Sequence, residues 1–158
     1  MSLSRSYDGG RLGKPVGGIA LTTSVVPSSS GGATYTGATI DRLAYDRRYY
    51  SAKSLVRARL ISSTVQNVSL ALSFQHSSDG TSWDSFSTAS NAATAIGSTG
   101  ATGAQTVEGA AEQAVSLVGA RRYIRQVMVP TFSGGTSGDS LYFQGTVVLE
   151  GGDENPNT

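Results

Sequence analysis

From Tyr35 onward, apolar and polar residues alternate with period two along much of the chain. Ser54 to Ile61 sets Val56, Ala58 and Leu60 on one face and Leu55, Arg57, Arg59 and Ile61 on the other. Successive side chains of a strand point to opposite sides, so this segment predicts a strand with one polar-leaning face. Leu70, Leu72 and Phe74 alternate with Ser69, Ala71, Ser73 and Gln75, as an antiparallel strand with one buried face requires. Arg122 to Pro130, with Ile124, Val127 and Val129, and Leu141 to Glu150, ending Thr146-Val147-Val148-Leu149, are β-branched runs that predict two further buried strands. Turn chemistry punctuates them at Ser78-Asp79-Gly80-Thr81, Phe132-Ser133-Gly134-Gly135, Ser137-Gly138-Asp139 and Gly151-Gly152. No window sustains an apolar stripe of helical period, although Glu108 to Val118 has room for one short helical turn. Short antiparallel strands joined by Gly-rich connections predict an all-β protein, a jelly-roll-like β-sandwich.

Two segments depart from the alternation. Residues 1–33 are rich in Gly and Ser and apolar only in bursts, Gly18-Ile19-Ala20-Leu21 and Val25-Val26. Such a segment buries too little to offset its ordering entropy by itself, so it is expected to be an extended N-terminal arm held by another chain. Ser87 to Gly109 is almost wholly Ala, Ser, Thr and Gly, and is expected to be a long surface loop packing against a neighbour. The predicted organisation is an arm (1–33), a sandwich domain (34–150, with the loop at 87–109) and a flexible C-terminal tail (151–158).

Composition narrows the chemistry. Of 158 residues only 15% are Asp, Glu, Lys or Arg, against about 25% in a typical domain, so the solvent face is built largely from Ser, Thr, Gly and Ala. Twelve basic and eleven acidic residues leave a net charge of +1, too small a field to draw in nucleic acid or acidic membranes. The absence of Cys excludes disulfides, thiolate metal sites and a Cys nucleophile. The first eighteen residues show no signal-type apolar segment, and no stretch approaches the roughly 20 apolar residues that span a bilayer, so synthesis in the cytoplasm is expected.

Catalytic groups are sparse. His76 is the one histidine and falls in phase with Leu70, Leu72 and Phe74, which suits a structural residue at a strand end better than a triad member. Asp79 and Asp84 flank Gly80; a turn in which Asp79 binds its own backbone, Gly80 takes positive φ and Trp83 packs back over the hairpin explains them better than an acid pair or a calcium loop. No metal, cofactor or enzymatic activity is expected. Arg42, Arg47, Arg48, Lys53, Arg57 and Arg59 interleave with Tyr45, Tyr49 and Tyr50. Arg with Tyr suits a stacking nucleic-acid surface or a protein interface, and the lack of basic excess elsewhere favours the interface. Asn67-Val68-Ser69 is a chance sequon, and Leu141-Tyr142-Phe143-Gln144-Gly145 lies inside a native strand rather than a protease tag.

Three stretches, Tyr35-Thr36-Gly37-Ala38-Thr39-Ile40-Asp41-Arg42, the run from Ser69 to Trp83, and Gly119-Ala120-Arg121-Arg122-Tyr123-Ile124-Arg125, resemble a family of small tailed-bacteriophage virion proteins, the head decoration (cement) or minor capsid proteins. The resemblance spans roughly residues 35–150. It implies a non-enzymatic protein on the virion surface, made in the host cytoplasm, whose partners are the major capsid protein and further copies of itself, as a homotrimer or other homo-oligomer. On that reading Arg42, Tyr45, Arg47, Arg48, Tyr49 and Tyr50, with Ile19, Leu21, Val25 and Val26 of the arm, form the interface. The Ser-Asp-Gly-x-x-Trp turn is also similar to that of galactose-binding β-sandwiches. This implies the alternative of a carbohydrate-binding module with Asp79 and Trp83 in its ligand loop. A tail or head–tail connector subunit would share the same composition. Neither a membrane nor nucleic acid is an expected partner.

Overall fold

A computed structural model describes residues 14–20, 33–45, 47–62, 66–86, 94–98, 105–133, 139–151 and 153–154, and of residues 47, 48, 97, 98, 133, 153 and 154 the backbone alone. The strands in chain order are β1 (Lys14–Val16), β2 (Tyr35–Thr36), β3 (Ile40–Asp41), β4 (Arg47–Arg48), β5 (Ser51–Ser62), β6 (Asn67–Ser77), β7 (Asp84–Phe86), β8 (Thr94–Ser98), β9 (Gln105–Ser116), β10 (Tyr123–Ser133), β11 (Ser140–Glu150) and β12 (Asp153–Glu154). Among the described residues there is no helix.

The strands form an antiparallel β-sandwich, as the alternation predicts. One sheet has the order β1-β11-β5-β9; the other has the order β2-β10-β6-β7, with β3 also on β10 and β8 also on β6. A small ribbon joins β12 to β4. The chain changes sheet between β1 and β2, between β3 and β5 by way of the ribbon strand β4, and between β5 and β6, β8 and β9, β9 and β10, and β10 and β11. The inner faces therefore come from strands distant in sequence.

The predicted inner faces are buried. Val56, Ala58 and Leu60 of β5 meet Leu70 and Leu72 of β6, Met128 of β10, and Leu141 and Phe143 of β11 in one cluster. Phe74, Ile124, Val147 and Leu149 anchor a second. A polar layer lies between the clusters: Gln126 Nε2 donates to Ser54 Oγ, both side chains fully buried, and Gln126 Oε1 accepts from the Ile19 amide at 3.2 Å. Buried polar groups need such partners. The layer fixes where the N-terminal segment enters.

That entry corrects the predicted arm at residues 14–20. β1 pairs with β11, Lys14 opposite Leu149, and Ile19 is 4% exposed inside the chain's own core rather than at a surface between chains. Gly18 permits this threading, because a Cβ there would stand 2.3 Å from the Gly145 carbonyl oxygen. The Gly145 amide in turn donates to Ile19 O at 2.9 Å. Residues 1–13 and 21–32, with Leu21, Val25 and Val26, lie outside the described residues.

The loop expected at 87–109 is corrected too. It contains β8 and the start of β9, and β9 continues through the segment expected to offer a helical turn. β9 is a margin strand with a solvent-facing side, so burying Ala111 and Val115 suffices. Small residues can form such a strand without leaving an apolar alternation. The expected flexible tail likewise contains β12, which pairs with β4.

Candidate protein interface

The Arg and Tyr residues singled out in the sequence as an interface fall on the segment from β3 to β5, and Arg42, Tyr45 and Tyr49 are engaged within the chain. Arg42 Nη1 donates to the Ala120 carbonyl at 2.6 Å and the Arg121 carbonyl at 3.1 Å, and Nη2 to the carbonyls of Leu117 at 3.3 Å and Tyr49 at 3.4 Å. The planar fork thereby fastens the segment after β3 to the turn between β9 and β10. Arg42 is thus a fastener within the fold, which corrects its expected place on the interface.

Tyr49 is corrected in the same way: it is 7% exposed and packs in the second core cluster. Tyr45 is half-buried, meets Tyr49 edge to face at 6.1 Å, and carries Lys14 Nζ over its ring at 4.3 Å. Burial raises the Tyr45 hydroxyl above its usual range, with the neighbouring Tyr49 and Asp41 adding to the effect. Tyr50 stays 40% exposed. Arg47 and Arg48 are described by backbone alone, in the ribbon opposite Glu154 and Asp153.

The same fastening presents residues that the sequence reading did not select. Leu43 is 71% exposed and Val118 is 74% exposed. Leu43 follows Arg42 directly, and Val118 sits between Leu117 and Ala120, two of the residues whose carbonyls Arg42 holds. Both therefore belong to one end of the molecule. Asp41 braces the segment further: Oδ1 accepts from the Leu43 amide at 3.0 Å, and the carboxylate takes Arg122 Nε at 3.0 Å and Nη2 at 2.6 Å. The hydrogen bond from Arg122 holds the Asp41 carboxyl below the usual range. Exposed Arg121 and Arg122 follow in the chain, each held in an ion pair, Arg121 with Asp84 and Arg122 with Asp41. The available signal was an apolar residue in a turn, Leu43 after Asp41-Arg42 and Val118 before Gly119, where alternation gives it no buried face.

The Asp79 and Trp83 loop is a self-satisfied turn. Asp79 Oδ1 accepts from the amides of Thr81 and Ser82 and from Ser77 Oγ, each at 2.8 Å, and Gly80 adopts φ +77°. Those donors hold the Asp79 carboxyl far below the usual carboxylate range. Arg125 lies 4.2 Å from the centre of the Trp83 ring, covering one of its aromatic faces. His76 stacks on Phe86 at 4.9 Å, and its Nδ1 accepts from the Arg121 amide at 3.4 Å. Burial, with the charge of Arg121, lowers its pKa. Among the described residues no three His, Asp or Glu side chains gather as metal ligands.

No protein-family model matches the chain, and no curated protein matches it at a significant level.

Proposed function

We infer that this chain is a structural protein of a tailed-bacteriophage head, a cement that binds the assembled shell and stabilises it. The observation that carries the reading is the pair Leu43 and Val118, held in the open on segments fastened by Arg42 and Asp41. Exposed apolar side chains on a braced support suit an interface, because little ordering entropy is lost when they dock. The charge-poor exterior agrees with a surface covered by neighbours. The three stretches similar to decoration proteins add to it, and one of them supplies Arg42 and another Arg121 and Arg122.

The mechanism is mass action. A protein that binds only the assembled lattice stabilises it by RT ln(1 + [L]/Kd), and many weak contacts multiply through avidity. The partners are the major capsid protein and further copies of this chain, and the location is the outer surface of the virion. Heads assembled without the protein are expected to break at lower temperature and in low salt, and to recover when purified protein is added back. Heads that resist equally with and without it would overturn the reading. Copy number separates shell from connector: hundreds of copies per particle mark the shell, a single ring's worth marks the neck or tail.

A further inference from the structure

The described strands at the sheet margins are short, except one. β1, β2, β3 and β7 run two or three residues and β8 runs five. β9 runs twelve residues along the margin of its sheet and, among the described residues, pairs with β5 alone. Proteins usually protect a long free margin with Pro, Lys or a bulge. Gln105–Ser116 has no Pro and no Lys, its charged residues are Glu108 and Glu112 alone, and its register with β5 runs without a shift.

Backbone direction follows from one bond. Leu117 N donates to Tyr50 O at 2.7 Å, in register with the β5–β9 ladder. Alternation along an antiparallel ladder then turns the amides and carbonyls of the odd-numbered β9 residues toward β5. Those of Thr106, Glu108, Ala110, Glu112, Ala114 and Ser116 face the open side. The side chains of these same six residues are exposed, on the solvent face of the sheet.

The geometry points to a second copy of this chain as the occupant of that margin, its β9 pairing antiparallel with β9 about a two-fold axis at Ala111. The solvent face reads Glu108, Ala110, Glu112, Ala114. With the axis at Ala111, Glu112 stands opposite Ala110 of the second copy, and Glu108 opposite Ala114. Shifting the axis to Ala110 would set Glu108 against Glu112, a like-charge pair that opposes association. Among the axes that avoid this clash, Ala111 alone sets both glutamates opposite alanine within the strand.

The next strand inward completes the match. β5 sets Arg57 beside Ala110 and Lys53 beside Ala114. Across the junction one row therefore reads Arg57, Ala110, then Glu112 of the second copy. The other reads Lys53, Ala114, then Glu108 of the second copy. Two strand spacings, about 10 Å, separate the Cα positions at the ends of each row, within the joint reach of the two side chains. Only an Ala methyl stands between them. Within the chain Lys53 meets Glu112 at 2.8 Å and Arg59 meets Glu108 at 3.8 Å, whereas Arg57 forms no ion pair among the described residues. A shallow depression of about 590 Å³, lined by Leu55, Arg57, Ala110, Glu112, Gln144 and Thr146, opens where the second copy's Glu112 arrives. Two four-stranded sheets join into one, β1-β11-β5-β9-β9-β5-β11-β1. This pairing goes beyond shell binding and does not depend on it.

Sedimentation of the purified full chain over micromolar to millimolar concentrations tests it. A dimer is expected. Arg57→Glu and Glu112→Arg should each raise the dimer dissociation constant by about tenfold or more, since each replaces attraction by repulsion in two symmetric rows. An equimolar mixture of the two variants should dimerise again, because both rows are then matched. Amide exchange on the unaltered chain supplies a second reading: Ala110, Glu112 and Ala114 amides become protected as concentration rises. A chain that stays monomeric, a trimer, variants that associate like the parent, a mixture no better than its components, or amide exchange independent of concentration would overturn the pairing.

Discussion

Asp79 serves its turn through charge. Its carboxylate accepts two backbone amides and a hydroxyl, and these hold its pKa below the ordinary value of 3.8. The unfolded chain therefore binds the proton first. The contribution of Asp79 is present above about pH 3.8 and is lost as pH falls below it. Thermal unfolding followed from neutral pH down to about pH 2 should show a steep acid limb, and Asp79→Ala should flatten it while lowering the melting temperature at neutral pH. An unchanged limb would show that the acid response arises elsewhere. Arg42 works by geometry instead, with one guanidinium reaching four carbonyls on two segments. Arg42→Ala should cost about 1.5–3 kcal/mol, the range for hydrogen bonds to a charged group. Arg42→Lys should recover only part of this, because an ammonium lacks the planar fork. Chemical denaturation of the two variants measures both.

Among the elements, the N-terminal entry is where small residues decide the packing. Gly18 passes the Gly145 backbone so closely that an added methyl would meet its carbonyl oxygen at 2.3 Å. Because backbone rather than a flexible side chain stands in the way, Gly18→Ala should destabilise by about 1–3 kcal/mol or more. Chemical denaturation should show this as a lower midpoint with an unchanged slope. Strands β5, β6, β10 and β11 were legible in the sequence because each must bury a full face, which writes period two into the chain: Val56, Ala58, Leu60; Leu70, Leu72, Phe74. β8 and β9 were not, because a margin strand needs few buried positions and Ala or Gly can fill them. Gly109 in β9 has its place for lack of room, since a Cβ there would stand 2.6 Å from Ile96 O. Of the candidate interface, the segment was legible and the roles were not. Composition marks Arg and Tyr as a cluster, but only the path of the neighbouring turn determines that Arg42 and Tyr49 are used inward while Leu43 and Val118 face out.

At the scale of the whole molecule, the apolar end and the β9 margin are different surfaces built on one rigid sandwich, so they can be perturbed separately. Leu43 and Val118 are more than two-thirds exposed and contribute little buried area to the fold. Changing them should leave stability within about 0.5 kcal/mol of the parent, as for surface positions without a special role. If this end docks on an assembled shell, a Leu43→Asp, Val118→Asp double variant adds two unpaired charges where the contact must exclude water, and burying an unpaired charge is costly. Repeated over a lattice, such losses compound through avidity. The double variant should therefore keep its melting temperature and its concentration-dependent self-association, yet no longer protect heads against heat or sediment with them. Full protection by the double variant would place the shell contact elsewhere on the sandwich. Simultaneous loss of self-association would show that both contacts share one end, against the separate β9 junction.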